Sequence, residues 1–434
     1  MGGLMAVLAC TSDDSGTDGN GGTGNFGGTG NFGGTGNTGG TGNTGGTGTT
    51  GGTGTTGGRS IKKAGIAGTM TWDGEWMAPQ AFSFAEAHFD YMSLGSYQWE
   101  NYPVSAIQGF RDAGMAPLGY QRLAQVEYSP TPEYCSPDWV EANAHEDWFI
   151  HDASTGDRIW NPSDNGFLMD IGNADFRQHW TTYVAGNLDI YQGFAGVFID
   201  NVLGEMDAGW VPWQRFGDGG LPVFQASDLD NWHSNAVSFL AQIKAALPDK
   251  TIIINTDGFN YDYVDEVDGV MIEGFAHATW QTADDAPAPA GVMSQIDYFG
   301  TVTSNGKLAW YMAGTSNGTA SQVDDIVKYA LSAAFLSNNN PNSMFSFNDW
   351  FSFDGSHGYY PIMDTNIGSP IGAYYQSQDV YMREFSAGKV LLNPSDAQCT
   401  VGDLGGSFDD LSGQTVTSVT LAPHSGEILV KPGT

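Results

Sequence analysis

Basic residues are scarce in this chain. Fifteen Lys and Arg face 49 Asp and Glu, for a formal net charge of −34. Phosphate recognition needs clustered cations, so a nucleic-acid partner is excluded, and an anionic membrane surface or a strongly anionic polymer is disfavoured. An acidic coat of this kind keeps a protein dispersed. No apolar run is long enough to span a bilayer. Cysteine is almost absent: Cys10, Cys135 and Cys399 are the only three, too few for a disulfide framework. Cys135 and Cys399 either pair in an oxidising compartment or stay as two separate thiols. The eight histidines form neither an HxH pair nor an HExxH motif. No metal site and no cofactor is therefore expected.

Glycine is the residue in excess, and much of it is concentrated in Thr11 to Gly58, where Gly-Gly-Thr-Gly-Asn and Gly-Gly-Thr-Gly-Thr repeat. Such a stretch cannot bury enough apolar surface to offset its ordering entropy, so residues 11–60 are expected to be a disordered linker. Gly28 to Gly33 matches GxGxxG, but no strand precedes it and no helix follows. Before the linker, Leu4 to Cys10 reads Leu-Met-Ala-Val-Leu-Ala-Cys and resembles the lipobox of a bacterial lipoprotein signal. By that resemblance residues 1–10 end a signal peptide, Cys10 receives lipid, and the chain is exported to the bacterial cell surface or outer membrane. A basic n-region is missing ahead of it. Any membrane association is then through this anchor alone.

From Ile61 the composition becomes that of a folded domain. Short apolar runs alternate with helical patterns. The expected strands are Ala64 to Thr69, Tyr91 to Leu94, Met115 to Tyr120, a fourth within Gly193 to Asn201, Thr251 to Asn255, a sixth ending at Glu273, Leu308 to Met312, and Ser343 to Phe347. Helices are expected over Val104 to Ala113, Ala174 to Ile190 with Asn173 as N-cap, Asp228 to Leu247, and Gln322 to Leu336. A long excursion rich in Pro and aromatics follows strand three, with a local strand near Trp148 to His151. This alternation predicts an α/β fold, a (β/α)₈ TIM barrel over residues 61–378. Tyr381 to Phe385, Lys389 to Asn393, Thr415 to Leu421 and Glu427 to Lys431 predict a small all-β, sandwich-like module over 379–434.

The stretch that organises the chain is Gly193 to Asn201, Gly-Phe-Ala-Gly-Val-Phe-Ile-Asp-Asn. Val197, Phe198 and Ile199 suit a strand buried on both faces. The run stops at Asp200, whose charge is costly to bury, so Asp200 should emerge at the C-terminal mouth of the barrel. Asp268 to Phe275 repeats the pattern and ends its apolar run at Glu273. Two strands of one sheet, each ending in an acid, would place two carboxyl groups in one cleft. Glycosidic-bond cleavage needs that pair: one group ionised to meet the anomeric carbon, one protonated to release the leaving oxygen. Like charges push their pKa values apart, which permits the division.

Gly-Val-Phe-Ile-Asp-Asn together with Asp-Gly-Val-Met-Ile-Glu is similar to the motifs of hypothetical glycosyl-hydrolase-like barrels related to endo-α-1,4-polygalactosaminidases. Arg383-Glu384-Phe385, Lys389 to Pro394 and Leu421 to Leu429 resemble the β module that closes such proteins. The likeness runs from Ile61 to Lys431. It implies Asp200 as nucleophile and Glu273 as acid/base, and points towards galactosamine-like polymers.

Around this pair, Asn201 is placed to hydrogen-bond Asp200. Asp73, Asp257 and Asp349 follow strands one, five and eight and face the same mouth, for sugar hydroxyls or as turn caps. Tyr120 and Asn255 end strands three and five. Trp72 and Trp310, with Trp76, Trp99, Trp280 and Trp350, lie near strand ends or in top loops, where flat rings stack on sugars or pack in the core. Gly314 to Gly318 matches G-x-S-x-G, but chance matches come easily with 61 glycines, and Ser316 is read as a loop residue. The expectation is a monomeric, retaining glycosidase that cuts inside a neutral or amino-sugar polysaccharide. The rival expectation is a surface glycan-binding lipoprotein on an inactive barrel.

Overall fold

The structure, a computed structural model, describes residues 61–66, 79–94, 104–128, 137–349 and 358–433. Eight parallel strands close into one barrel: β1 (Lys62–Ile66), β2 (Tyr91–Leu94), β3 (Ala116–Arg122), β4 (Gly196–Val202), β5 (Thr251–Thr256), β6 (Gly269–Glu273), β7 (Leu308–Thr315) and β8 (Met344–Asp349). Neighbours follow chain order around the ring, and β8 closes on β1. The alternation of side chains along a strand sorts the residues. Leu118, Phe198, Ile253, Met271, Trp310 and Met344 point inwards and fill the barrel. Val197, Ile199, Ile252, Ile254, Val270 and Tyr311 point outwards and pack under the helices.

Those helices are α1 (Pro79–His88), α2 (Val104–Asp112), α3 (Pro137–Ala142), α4 (Ala174–Ile190), α5 (Ala226–Ala246), α6 (Tyr261–Glu266), α7 (Pro289–Ser304) and α8 (Ala320–Ser337). Asn173 caps α4 by accepting from the Asp175 and Phe176 amides at 2.9 and 3.1 Å, a contact of about 1 kcal/mol. α6 and α7 carry no strong helical signature in the sequence. Tertiary burial holds them, through Tyr263 and Val264 of α6 and Ile296 and Phe299 of α7.

The excursion after β3 differs from its expected form. A short 3₁₀ turn, Glu146–Trp148, and isolated bridges from Phe149 and His151 replace the expected local strand. The excursion instead builds a four-stranded sheet in the order Gln125–Glu127, Gly166–Leu168, Ile159–Asn161 and Gln214–Arg215. The last of these strands comes from the loop after β4.

The C-terminal module has a six-stranded antiparallel sheet and a two-stranded one. Its edge strand, Pro370–Ser377, is not among the expected strands, and it brings the start of the module's sheet ahead of residue 379. One face of the larger sheet covers Leu391 and Leu429 with Val401, Leu404 and Leu421. The other lays Phe385, Val390, Leu392 and Ile428 on the main core beside Phe335 of α8. Arg383, 2% exposed, donates to the carbonyls of Phe335, Leu336 and Asn338 at 3.1, 2.9 and 2.9 Å. It thereby satisfies the open C-terminal end of α8 from the module's side. Cys399 is a half-buried free thiol in the module; Cys135 lies outside the described residues.

Candidate active site

Period two carries the interior face of each strand upward. Two residues beyond Leu118, Phe198, Ile253 and Met271 stand Tyr120, Asp200, Asn255 and Glu273. These four belong to β3, β4, β5 and β6, which are consecutive around the barrel. The polar layer therefore sits directly on the apolar filling, at the C-terminal ends of four adjacent strands.

Two local features make this layer fit. At its base, β4 starts with Gly196 against the β5 backbone, where a β-carbon would lie 1.8 Å from the Thr251 carbonyl oxygen. At its top, β4 bulges. Ile199 pairs with Ile254 and Val202 with Thr256, so Asp200 and Asn201 together oppose Asn255. Asn201 takes a left-handed backbone with φ of 55°. A bulge re-aims the side chains beside it.

Both oxygens of Asp200 accept hydrogen bonds. Oδ2 takes the Tyr120 hydroxyl, and Oδ1 takes Asn255 Nδ2 at 2.8 Å. Burial, then the charge of Asp200, holds the Tyr120 phenol well above its ordinary pKa, so it stays a donor. Asn201 does something other than expected. Turned away by the bulge, its amide reaches Asp164 Oδ2 at 3.4 Å rather than Asp200.

Glu273 is the perturbed acid of the site. Burial, followed by the charges of Asp200 and Asp164, pushes it up to about 7, against a hydrogen bond from Asn255 that lowers it. The residue itself is exposed at the end of β6, while the strand beneath it is buried. Glu273 therefore holds a proton near neutrality in a site where Asp200 accepts two hydrogen bonds, which is the division of labour that glycoside cleavage requires.

The sequence reading missed Arg122 and Asp164. Arg122 ends β3 two residues past Tyr120, on the same face, opposite Asp200. Its Nε donates to the Tyr120 hydroxyl at 3.3 Å and its Nη1 to the Asp164 carbonyl at 3.0 Å. Extending the alternation of β3 by one more step would have found it. Asp164 comes from the turn between the excursion strands Ile159–Asn161 and Gly166–Leu168. Asn161 Nδ2 holds its carboxylate at 2.8 Å. Burial raises its pKa, Arg122 opposes, and Asp200 raises it further. No local signal marks it.

Of the other expected site residues, Trp310 and Asp257 have structural partners. Trp310 is 1% exposed, packs on Phe198 at 5.0 Å between ring centres, and donates to Ser346 Oγ at 2.8 Å. It is barrel filling rather than a sugar platform, because it lies one layer below Glu273: it pairs with Met271, while Met312 pairs with Glu273. Asp257 accepts from the Gly204 amide at 2.7 Å, so it fixes the loop after β4. Asp349 ends β8 opposite Thr315. Trp72, Asp73, Trp76, Trp99, Trp350 and Cys10 lie outside the described residues. Ser316 sits in the loop between β7 and α8, its amide bound to the Gln281 carbonyl at 2.7 Å.

Residues 115–389, well over half of the chain, match the family described as hypothetical glycosyl hydrolase family 15. The chain belongs to that family. This hypothetical glycosyl hydrolase is thus a glycosidase, and its substrate is a carbohydrate. Among solved structures, it is similar to a noncanonic maltogenic α-amylase, AmyB from Thermotoga neapolitana, at 10% identity and a TM-score of 0.52, covering 85% of this chain and 97% of that one. It also matches the glycoside hydrolase domain of PelA from Pseudomonas aeruginosa at 15% identity and a TM-score of 0.43, covering 70% and 96%. The first likeness supports the barrel fold alone. No curated protein matches the chain.

Proposed function

We propose that the chain is a retaining glycosidase that cuts inside a neutral or amino-sugar polysaccharide. The observation that carries this reading is the pair of carboxyl groups at the ends of β4 and β6, flanking Asn255 of β5, whose amide donates to Asp200 at 2.8 Å. Retaining pairs lie about 5–5.5 Å apart, and inverting pairs need about 6.5–9.5 Å to admit a water.

In the first step Asp200 attacks the anomeric carbon while Glu273 gives its proton to the leaving oxygen. The glycosidic bond breaks as the ester to Asp200 forms. In the second, the Glu273 carboxylate takes a proton from water. The water oxygen bonds to the anomeric carbon and expels Asp200. Tyr120 and Asn255 position the nucleophile and do not exchange protons with the sugar. A purely glycan-binding barrel would have no use for a glutamic acid held away from its ordinary pKa, because such a group weakens the fold without aiding binding.

The substrate class follows from charge. Asp164, Asp200 and Glu127 surround Arg122, and Asp200 and Asp164 also act on Glu273, so acidic groups dominate the site. An anionic polymer is repelled by such a site. The lipobox-like segment supports export with lipid on Cys10. Loss of detergent-phase partitioning in Cys10→Ser tests that part, and unchanged partitioning removes it.

Asp200→Asn and Glu273→Gln are each expected to lower turnover at least about a thousandfold and leave the fold intact. Parent-like activity in either variant removes the assignment. Proton NMR of the first product reads the stereochemistry, and an inverted anomer would refute the retaining mechanism.

A further inference from the structure

Large apolar side chains that stay exposed are costly unless something covers them. Among the described residues twelve are exposed, and seven of them lie on the loops after β4, β5 and β6 or at the start of α6. That is the arc of the mouth carrying Asp200, Asn255 and Glu273. Two of the seven are tryptophans. Trp210 is 59% exposed and lies near Asp257, whose carboxylate accepts from the Gly204 amide at 2.7 Å beyond the end of β4. Trp280 is 53% exposed, and its ring edge lies against Gly274, the residue after Glu273. A β-carbon at Gly274 would meet that ring at 3.3 Å and Ala278 at 2.8 Å, and Gly274 has φ of 80°. Glycine there lets the ring come up against the backbone beside the acid.

We propose that Trp210 and Trp280 are sugar-stacking platforms on the two flanks of the carboxylate pair, so that the site grips at least one sugar on each side of the bond it cuts. Each is more than half exposed beside a strand end of the site, where its ring can meet the C–H face of a pyranose. Trp280 adjoins Glu273, which protonates the leaving oxygen, and therefore takes the departing sugar. Trp210, in the loop after β4, takes a sugar on the side bonded to Asp200. The inference rests on the glycosidase reading and deepens it to a several-subsite, internally cutting site.

The test uses the full chain carrying Asp200→Asn, run through native gels containing soluble chitosan, soluble starch or polygalacturonate. Chitosan or starch is expected to retard it. Trp210→Ala and Trp280→Ala should each weaken that binding about tenfold, and Trp→Phe at either position should restore most of it. Both side chains are largely exposed, so thermal melts should stay within about one degree. In the active chain the same Ala variants should raise KM for the polymer more than they lower kcat and shift the product lengths. Unchanged binding and product lengths in both variants overturn the proposal, as does the absence of retardation by all three polymers. A chain that is retarded through these tryptophans yet cleaves nothing overturns the hydrolase reading and leaves the platforms standing. Cleavage that is indifferent to both tryptophans does the reverse.

Discussion

Glu273 sets the pH behaviour of the site. Its pKa near 7 arises from burial first and from Asp200 and Asp164 second. The acid is competent only while protonated, so kcat/KM should bend downward above pH about 7, approaching tenfold per pH unit. Asp164→Asn removes one negative neighbour, which lowers the Glu273 pKa. The bend should then move to lower pH in a profile of kcat/KM, and an unmoved bend would detach Asp164 from the site. The same shift has a cost to the fold. The folded pKa of Glu273 lies above its ordinary 4.5, so its contribution is intact below pH 4.5 and is lost as pH rises through about 7. Glu273→Gln should therefore melt higher than the parent at pH 8 and show no gain at pH 4. Equal melting at both values would mean that the carboxyl is not strained by its surroundings.

At the scale of elements, the parts legible in the sequence are those with a local cause. β4 and β6 could be read because each is an apolar run cut short by one acid, and a charge can follow such a run only where the strand leaves the core. α4 could be read because Asn173 caps a clear helical pattern. Trp310 was misplaced because a strand-end position does not say at which layer a side chain enters the barrel; that depends on register with β6. Arg122 was missed because β3 runs two residues further than its apolar core. Asp164 was beyond reach, since its hairpin is held by a strand from another loop. Arg383 belonged to a recognised run, yet its task became visible only with the end of α8 beside it. Replacing it by Met removes the donors for three carbonyls while keeping much of the volume. Urea unfolding should show a loss of about 2–4 kcal/mol. A change below about 0.5 kcal/mol would make the contact incidental.

For the whole molecule, α8 is the hinge of stability. Ten of its residues, Val327 and Tyr329 to Ser337, are buried between barrel and module. Ending the chain at residue 369 would open that face to water. The shortened protein should aggregate or fail to express soluble, whereas the full chain should melt in a single calorimetric transition. Two separate transitions would show that barrel and module are stable apart. The sheet over β3 and β4 has a different consequence. Gln214–Arg215 pairs with the hairpin that bears Asp164, and Asp152 Oδ2 holds the Val223 amide at 2.6 Å. The two insertions are thus stitched by backbone bonds into one cassette. Relatives that exchange substrate preference would have to inherit both together, because a graft of either alone leaves a raw strand edge over the mouth and its acid unmoored.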